Sequence, residues 1–293
     1  MLIAIFGNEF QTLHFADLQR LFDALDSLTG AALAVESKFA AYLSNHIRLP
    51  ENIERFPVNA LPACDLVLSI GGDGTFLRTA AVVVPSQIPI MGINSGHLGY
   101  LAAASISDVD RVIDDIVTGN LVTESRSMLS VSTPDSFGAL TLCALNEVAI
   151  LKKDTASMIS ACTTVNGRFL ANYQADGLLI STPTGSTGYN LSVGGPIVAP
   201  SAPNWIISPV AAHSLSMRPL VVSDSAEIQV ITHSRADSFL LSVDGNSMAL
   251  AISTPLIIRK APFVTKVVHR KGLNFADTLR AKLLWGVDPN ARP

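Results

Sequence analysis

The sequence predicts two domains of different class, a doubly wound α/β domain followed by an all-β, sandwich-like domain. Three observations carry this. Up to about residue 120, short apolar runs alternate with segments of helical spacing. From residue 121 to about 266 no convincing amphipathic helix interrupts a series of short β-rich runs. Between them in importance stands one junction: Leu66-Val67-Leu68-Ser69-Ile70 ends abruptly in Gly71-Gly72-Asp73-Gly74-Thr75 before a stretch of helical length. At such a junction an open α/β sheet binds its ligands.

Residues 2–6 read as a first strand, and the absence of a basic n-region argues against a signal peptide. Residues 15–25 have helical spacing, with Leu18, Leu21, Phe22 and Leu25 on one face. Residues 31–35 and 38–43 follow as a second strand and helix. The run before Gly71 suits a strand buried on both faces. Residues 76–84 then have helical length until Pro85 stops them, and residues 88–94 form a further strand entering Asn94-Ser95-Gly96-His97-Leu98-Gly99. A last helix of this domain starts after Ser105, carries Val109, Val112, Ile113 and Ile116 on one side, and stops near Gly119. Such alternation implies parallel pairing and a doubly wound, Rossmann-like sheet. The expected domains are residues 1–120, residues 121–266 and a C-terminal helix, 267–293, that returns to the first domain.

In the second domain the β-rich runs cover residues 140–151, 158–165, 169–172, 178–181, 228–232, 239–243 and 256–258. Asn166-Gly167 between two of them signals a tight hairpin. Near the end Asn274 can cap a helix, Asp277 stands at capping-box spacing, and Phe275, Leu279, Leu283 and Leu284 supply apolar contacts. An isolated apolar face of that kind predicts burial against a neighbour.

Composition narrows the function. At 48% hydrophobic and 15% charged residues the chain can bury a large core. A net charge of −4 argues against nucleic acid or an anionic membrane as main partner. No apolar run approaches the ~20 residues of a membrane span. Cys64, Cys143 and Cys162 are too few and too scattered for a disulfide framework or zinc cluster, which suits a reducing cytoplasm.

Three stretches carry chemistry. Where the strand before Gly71 meets its helix, backbone N–H groups and the helix dipole favour an anion, so Gly71, Gly72, Gly74 and Thr75 form a candidate phosphate loop. Asp73 within it is repelled by phosphate unless it is used or masked. It could take a proton from an attacking hydroxyl, hold Mg²⁺, or cap the helix. The second stretch runs from Asp176 to Pro196, an apolar strand opening into a loop of hydroxyls and glycines with Tyr189 as its one ring. Ribose hydroxyls, phosphates or an amide suit it. The third is Asn146-Glu147, a polar pair inside the apolar segment 145–151, where burial requires partners. No Gly-x-x-x-x-Gly-Lys occurs, and the histidines form no His-x-x-x-His pair, so no metal site is assigned.

Together with Lys282-Leu283-Leu284-Trp285-Gly286, these stretches resemble in content and order the bacterial-type NAD kinases of the ATP/polyphosphate-NAD kinase family. The resemblance spans most of the chain, whereas the glycine motif alone is shared with lipid and sugar kinases. It implies phosphoryl transfer from ATP, another triphosphate or polyphosphate to the 2′-hydroxyl of the adenosine ribose of NAD, with Mg²⁺ accompanying the donor. It implies Asp73 as general base. It implies NAD contacts from Asp73, Gly74, Asn146, Glu147, Asp176, Thr187, Gly188, Tyr189, Asn190, Leu191 and Ser192, with Arg78 and Asn246 as further contacts. A ligand cleft between the domains and a homodimer or homotetramer are implied as well. Two departures from the family pattern stand out: Gly188 replaces an alanine, and Ser157 and Gln174 replace bulkier or basic residues. Another kinase of the same superfold or a non-catalytic nucleotide sensor are the alternatives.

Overall fold

In the computed structural model, which describes residues 1–9, 14–95, 99–154 and 158–286, the chain divides into two units. One comprises residues 1–125 together with those from Thr265 onward, and the other is Arg126–Val264. Ser157 and the Gly96-His97-Leu98 stretch lie outside the described residues.

Along the chain the first elements are β1 (Leu2–Gly7), α1 (Phe15–Asp26), β2 (Ala32–Glu36), α2 (Ser37–Leu43) and β3 (Glu54–Phe56). They are followed by β4 (Leu66–Ile70), α3 (Asp73–Val83), β5 (Ile90–Asn94), β6 (Ala104–Ser105) and α4 (Val109–Thr118). Next come β7 (Leu121–Thr133), β8 (Leu140–Ala144), β9 (Glu147–Lys152), β10 (Ile159–Val165), β11 (Arg168–Ala175) and β12 (Gly177–Ser181). After α5 (Tyr189–Ser192) the strands are β13 (Asn204–Val210), β14 (Leu220–Ser223), β15 (Ile228–His233), β16 (Ser238–Val243), β17 (Asn246–Ala251) and β18 (Leu256–Arg270). The last helix is α6 (Phe275–Leu283).

The first unit is α/β. Its sheet runs β3-β2-β1-β4-β5 with every pair parallel, and the end of β18 adds alongside β5. All residues of β4 and β5 are buried, as expected of strands covered on both faces. From α1, Leu18, Leu21, Phe22 and Leu25 enter the core, the face that their spacing predicts. The chain leaves β1 in one direction toward β2 and β3 and, after returning, continues in the other toward β4 and β5. That reversal between β1 and β4 is the topological switch point, and the glycines after β4 lie at its C-terminal side.

The second unit is β-rich. One sheet, β14-β13-β12-β9-β16-β17, is antiparallel throughout. A second set, β11-β10-β15 and the start of β18, is joined by the β7–β8 pair. One apolar cluster draws alternate residues from both: Val148 and Ile150, Leu178 and Ile180, Trp205 and Ile207, against Ile228 and Val230, Leu256 and Ile258. That period of two is the signature of a sandwich core. Asn166 and Gly167, with φ of 51° and 72°, make the expected two-residue hairpin between β10 and β11.

Four expectations are corrected. The helix after the glycines begins at Asp73, not Phe76, because the turn itself completes its first winding. The apolar run 140–151 is broken after Ala144, so Asn146-Glu147 lies at the entry to β9 and not inside a strand. The long strand β7, and β13, β14 and β17, are absent from the sequence reading. β7 mixes Ser, Thr and charged residues among its apolar ones, while the run of buried residues in β13 shows no alternation at all. Finally, α6 has the predicted Asn274–Asp277 capping box but no buried side chain, so Phe275, Leu279 and Leu283 are only half-covered.

Within the first unit Arg270 of β18 ties down α4. Its guanidinium donates twice to Asp115 Oδ2, and Asn120 Nδ2 donates to Asp115 Oδ1 at 2.8 Å. Asp115's side chain is 4% exposed. Arg270 holds the Asp115 carboxyl below its usual range despite burial. Arg270→Leu should therefore cost about 3–5 kcal/mol of stability at pH 7, because it leaves a buried charge uncompensated. A depressed carboxylate stabilises above its ordinary pKa and loses that effect as pH falls through the depressed value. Urea titrations should accordingly show the gap between the two proteins narrowing in acid; a gap independent of pH would contradict this account.

Candidate active site

The turn after β4 is built by steric exclusion. Gly71 has φ +149°, and a Cβ there would lie 2.5 Å from Thr75 Oγ1. Gly72 is the residue that opens α3, yet it offers no side chain to cap it. Thr75 is itself buried beneath Gly71, with Arg78 Nη2 3.4 Å from its hydroxyl. Around Gly74, by contrast, a Cβ would meet nothing within 4 Å.

Asp73, at the first position of α3, does not cap its own helix. Its Oδ2 accepts the Tyr100 N–H at 2.6 Å and its Oδ1 accepts the Leu101 N–H at 2.9 Å. The loop after β5 can come this near only because residue 99 is glycine, since a Cβ there would stand 2.2 Å from Asp73 Oδ1. From α6, Lys282 reaches the same loop. Its ammonium donates to the Gly99 and Ala102 carbonyls and lies 5.6 Å from the centre of the Tyr100 ring. Burial lowers the Lys282 pKa to about 8, with the Asp73 charge opposing that fall.

In the second unit the break between β8 and β9 is held by a residue that the sequence reading missed. Asp244 Oδ2 accepts the Leu145 N–H at 2.7 Å, and its Oδ1 accepts those of Asn146 and Glu147 at 2.9 and 3.0 Å. Asp244-Gly245 is the two-residue turn between β16 and β17, with φ of 47° and 84°. An Asp-Gly pair between apolar runs is a legible hairpin signal; its grip on a segment a hundred residues away is not.

Several buried side-chain polar atoms among the described residues lack a hydrogen-bond partner, and two of them are adjacent acceptors on this segment. Among the described residues, Asn146 Oδ1 and Glu147 Oε2 are buried without a hydrogen-bond partner. Buried polar atoms are normally satisfied, so adjacent orphans call for a donor from outside the chain. Burial, and secondarily the Asp244 charge, push the Glu147 carboxyl up to about 7. Burial likewise raises Asp244, against the three N–H groups it accepts.

The hydroxyl-rich loop packs on this pair. Thr182 Oγ1 donates to Leu145 O and accepts from Gly185 N at 3.0 Å. A Cβ on Gly185 would overlap Asn146 O at 2.2 Å, and one on Gly188 would press on Glu147 Oε2 at 3.3 Å. Thr187 and Leu191 are half-buried, while Tyr189 and Ser192 are exposed. Asn246, exposed, is two residues beyond Asp244.

Two of the expected contact residues are engaged within the chain. Asn190 is fully buried. Its amide donates to Ser186 O at 3.2 Å and Pro196 O at 3.1 Å, and its Oδ1 accepts from Ser208 Oγ at 2.7 Å. These bonds lock the loop from Ser186 to Pro196 in shape. Asp176 precedes β12, whose other end pairs Ser181 with Glu147. It is about 16 Å along the strand from the orphan pair, at ~3.3 Å per residue. There it forms an ion pair with Lys152 at 2.7 Å.

A glycine turn at the switch point of a parallel sheet, with an acid fixed beside it, defines a nucleotide-binding α/β architecture. Residues 26–121 match the ATP-NAD kinase N-terminal domain, and residues 145–270 match the ATP-NAD kinase C-terminal domain. An NAD kinase of Bacteroides fragilis is 44% identical over 98% of this chain and 99% of its own length. One of Porphyromonas gingivalis is 40% identical over 97% and 98%. Among solved structures, yeast NADH kinase complexed with NADH is similar in fold, with a TM-score of 0.88 at 23% identity over 100% of this chain and 90% of that one. An NAD kinase from Archaeoglobus fulgidus in complex with ATP gives a TM-score of 0.70 at 26% identity over 96% and 99%. The chain belongs to the ATP-NAD kinase family. That membership decides against the lipid- or sugar-kinase reading left open by the glycine motif alone.

The raised Glu147 has a thermodynamic consequence. A carboxyl whose pKa rises on folding stabilises fully below its unfolded value and loses that effect as pH climbs through the folded value. Stability should thus decline between about pH 4.5 and about pH 7. Glu147→Gln removes this dependence, so its stability relative to wild type should improve by about 1–3 kcal/mol between pH 5 and pH 8. Urea midpoints at the two pH values check this; parallel pH profiles would refute it.

Proposed function

We propose that the protein is an NAD kinase, transferring the terminal phosphoryl group of ATP to the 2′-hydroxyl of the adenosine ribose of NAD. Family membership supports the reaction, and one observation assigns the central role: Asp73 is a fixed carboxylate beside a turn suited to phosphate. Each of its oxygens accepts one backbone N–H, which leaves lone pairs available for the hydroxyl proton. Its role is to take that proton as the new phosphorus–oxygen bond forms.

The turn from Gly71 to Thr75 receives phosphate, with Gly74 leaving open space for its approach. In the second unit, Asn146 Oδ1 and Glu147 Oε2 accept hydrogen bonds from ribose hydroxyls. Thr187, Gly188, Tyr189, Leu191 and Ser192 supply the adjoining surface, and Asn246 and Arg78 are secondary contacts. Asn190 acts by holding that surface in shape, and Asp176 contributes from its separate place just before β12.

Magnesium fits as a companion of the donor. Mg²⁺ characteristically binds substrate phosphates with few protein ligands. The donor's phosphate oxygens, received by the Gly71–Thr75 turn, would hold it, and it would neutralise their charge. Cys64, Cys143 and Cys162 are all free, which supports a reducing cytoplasm. Exposed Leu220 and Val221 on the edge strand β14 support a homo-oligomer.

Asp73→Asn removes the proton acceptor while nearly preserving shape. Turnover should fall about 10²–10⁴-fold with NAD binding retained. Because one of the two N–H groups then faces an amide NH₂, some loss of thermal stability is expected as well, and binding should be measured on protein shown to be folded. NADP formation and calorimetric NAD titration make the test. Turnover near the wild-type value would remove Asp73 from the chemistry.

A further inference from the structure

We propose that Lys282 is a positioning residue for Asp73, acting on it through the Gly99–Tyr100 peptide; this rests on the kinase reading above. The two residues grip the same peptide group from opposite ends. Lys282 Nζ donates to the Gly99 carbonyl, and the N–H of that same peptide, on Tyr100, donates to Asp73 Oδ2 at 2.6 Å. A second carbonyl, on Ala102, accepts from Lys282 at 3.0 Å, just beyond the Leu101 N–H that holds Asp73 Oδ1. The segment 99–102 therefore turns its carbonyls to a cation and two N–H groups to an anion.

The consequence is physical. Hydrogen bonds in series polarise one another, so a cation on a peptide's oxygen strengthens its N–H as a donor. Bonds between charged and neutral groups are worth more than neutral pairs, and each end of this chain is charged. The Tyr100 ring adds a contact to the ammonium within cation–π range. Among the described residues the charged group that bears on Lys282 is Asp73, which favours the ammonium. With its pKa at about 8, Lys282 carries its charge at neutral pH. Its hydrogen bonds go to the 99–102 segment, so its loss should leave substrate recognition largely intact.

It also explains how α6 is attached. No side chain of that helix is buried, so apolar packing is a weak tether, and Lys282 provides a directional one.

The test compares Lys282→Met with Lys282→Arg, each alone and with Asp73→Asn. In Lys282→Met, kcat for NADP formation should drop about tenfold with KM for NAD within about twofold, as expected when one charge-assisted hydrogen bond that orients the base is lost. Lys282→Arg, which keeps the charge, should recover most of the rate. On the Asp73→Asn background Lys282→Met should add almost nothing, because the group it positions is gone. Independently of turnover, hydrogen exchange of substrate-free protein should speed up about tenfold at Tyr100 and Leu101 in Lys282→Met, with any other change confined to α6, the helix that Lys282 tethers. Multiplicative losses in the double variant, wild-type kcat in Lys282→Met, or unchanged exchange at those amides would each overturn the proposal. Should the wild-type protein form no NADP, the kinase reading fails by itself, and the exchange measurement alone decides whether Lys282 secures the grip on Asp73.

Discussion

The approach of the Gly99 backbone to Asp73 is the constraint on which the first unit's site depends. Asp73 Oδ1 lies where any side chain at residue 99 would begin, so the carboxylate is accepted by a loop shaped around it. Hydrogen bonds to a charged group contribute about 1.5–3 kcal/mol each, enough to fix an anion beside a turn whose helix dipole already favours negative charge. The placement of β4 at the switch point, the opening of α3 by a glycine without a side-chain cap, and the reach of α6 through Lys282 all meet at this carboxylate. Loss of the glycine at 99 would displace the aspartate or the loop.

The second unit solves a comparable problem with the same chemistry. Asp244 collects N–H groups from Leu145, Asn146 and Glu147, where β8 has ended and β9 is starting. A break between strands would otherwise leave backbone donors unpaired in a buried place, at a cost comparable to lost hydrogen bonds. Using an aspartate there has a side effect on its neighbour. A second negative charge near Asp244 is disfavoured, and Glu147, already desolvated, is held partly protonated near neutral pH. A structural carboxylate thus helps to set the protonation of its neighbour. The two aspartates differ in what they hold: Asp73 accepts two backbone N–H groups, whereas Asp244 accepts three, from the segment that carries Asn146 and Glu147.

The elements fixed by local rules were legible. The core face of α1, the doubly buried β4, the Asn166-Gly167 hairpin and the Asn274–Asp277 capping box all follow from periodicity or from a residue's own backbone preference. What escaped depends on distant partners. Asp244 reads as a turn residue, and nothing near it in sequence announces that its carboxylate receives a segment about a hundred residues earlier. Asn190 sits in a polar loop and looks presented to a ligand, yet Ser208 and the Ser186 and Pro196 carbonyls take up its amide. The polar pair Asn146-Glu147 stands out in the sequence because it interrupts apolar residues, and the interruption marks the end of one strand and the start of another. For α6, spacing alone overstated burial, since an apolar stripe specifies a face and not the depth to which a neighbour covers it.

The glycines separate what the fold requires from what only a ligand can require. At Gly71, Gly99, Gly185 and Gly195 a Cβ would run into Thr75, Asp73, Asn146 and Asn190 respectively, so the chain's own packing accounts for each. Gly74 is different: its φ is unexceptional and a Cβ there would project into open space. In the first turn of a helix such a glycine is less favourable than alanine by up to ~1 kcal/mol. No internal contact repays that difference. A phosphate brought against the backbone would supply the missing reason, because a methyl group at residue 74 would keep it from the N–H groups of the turn.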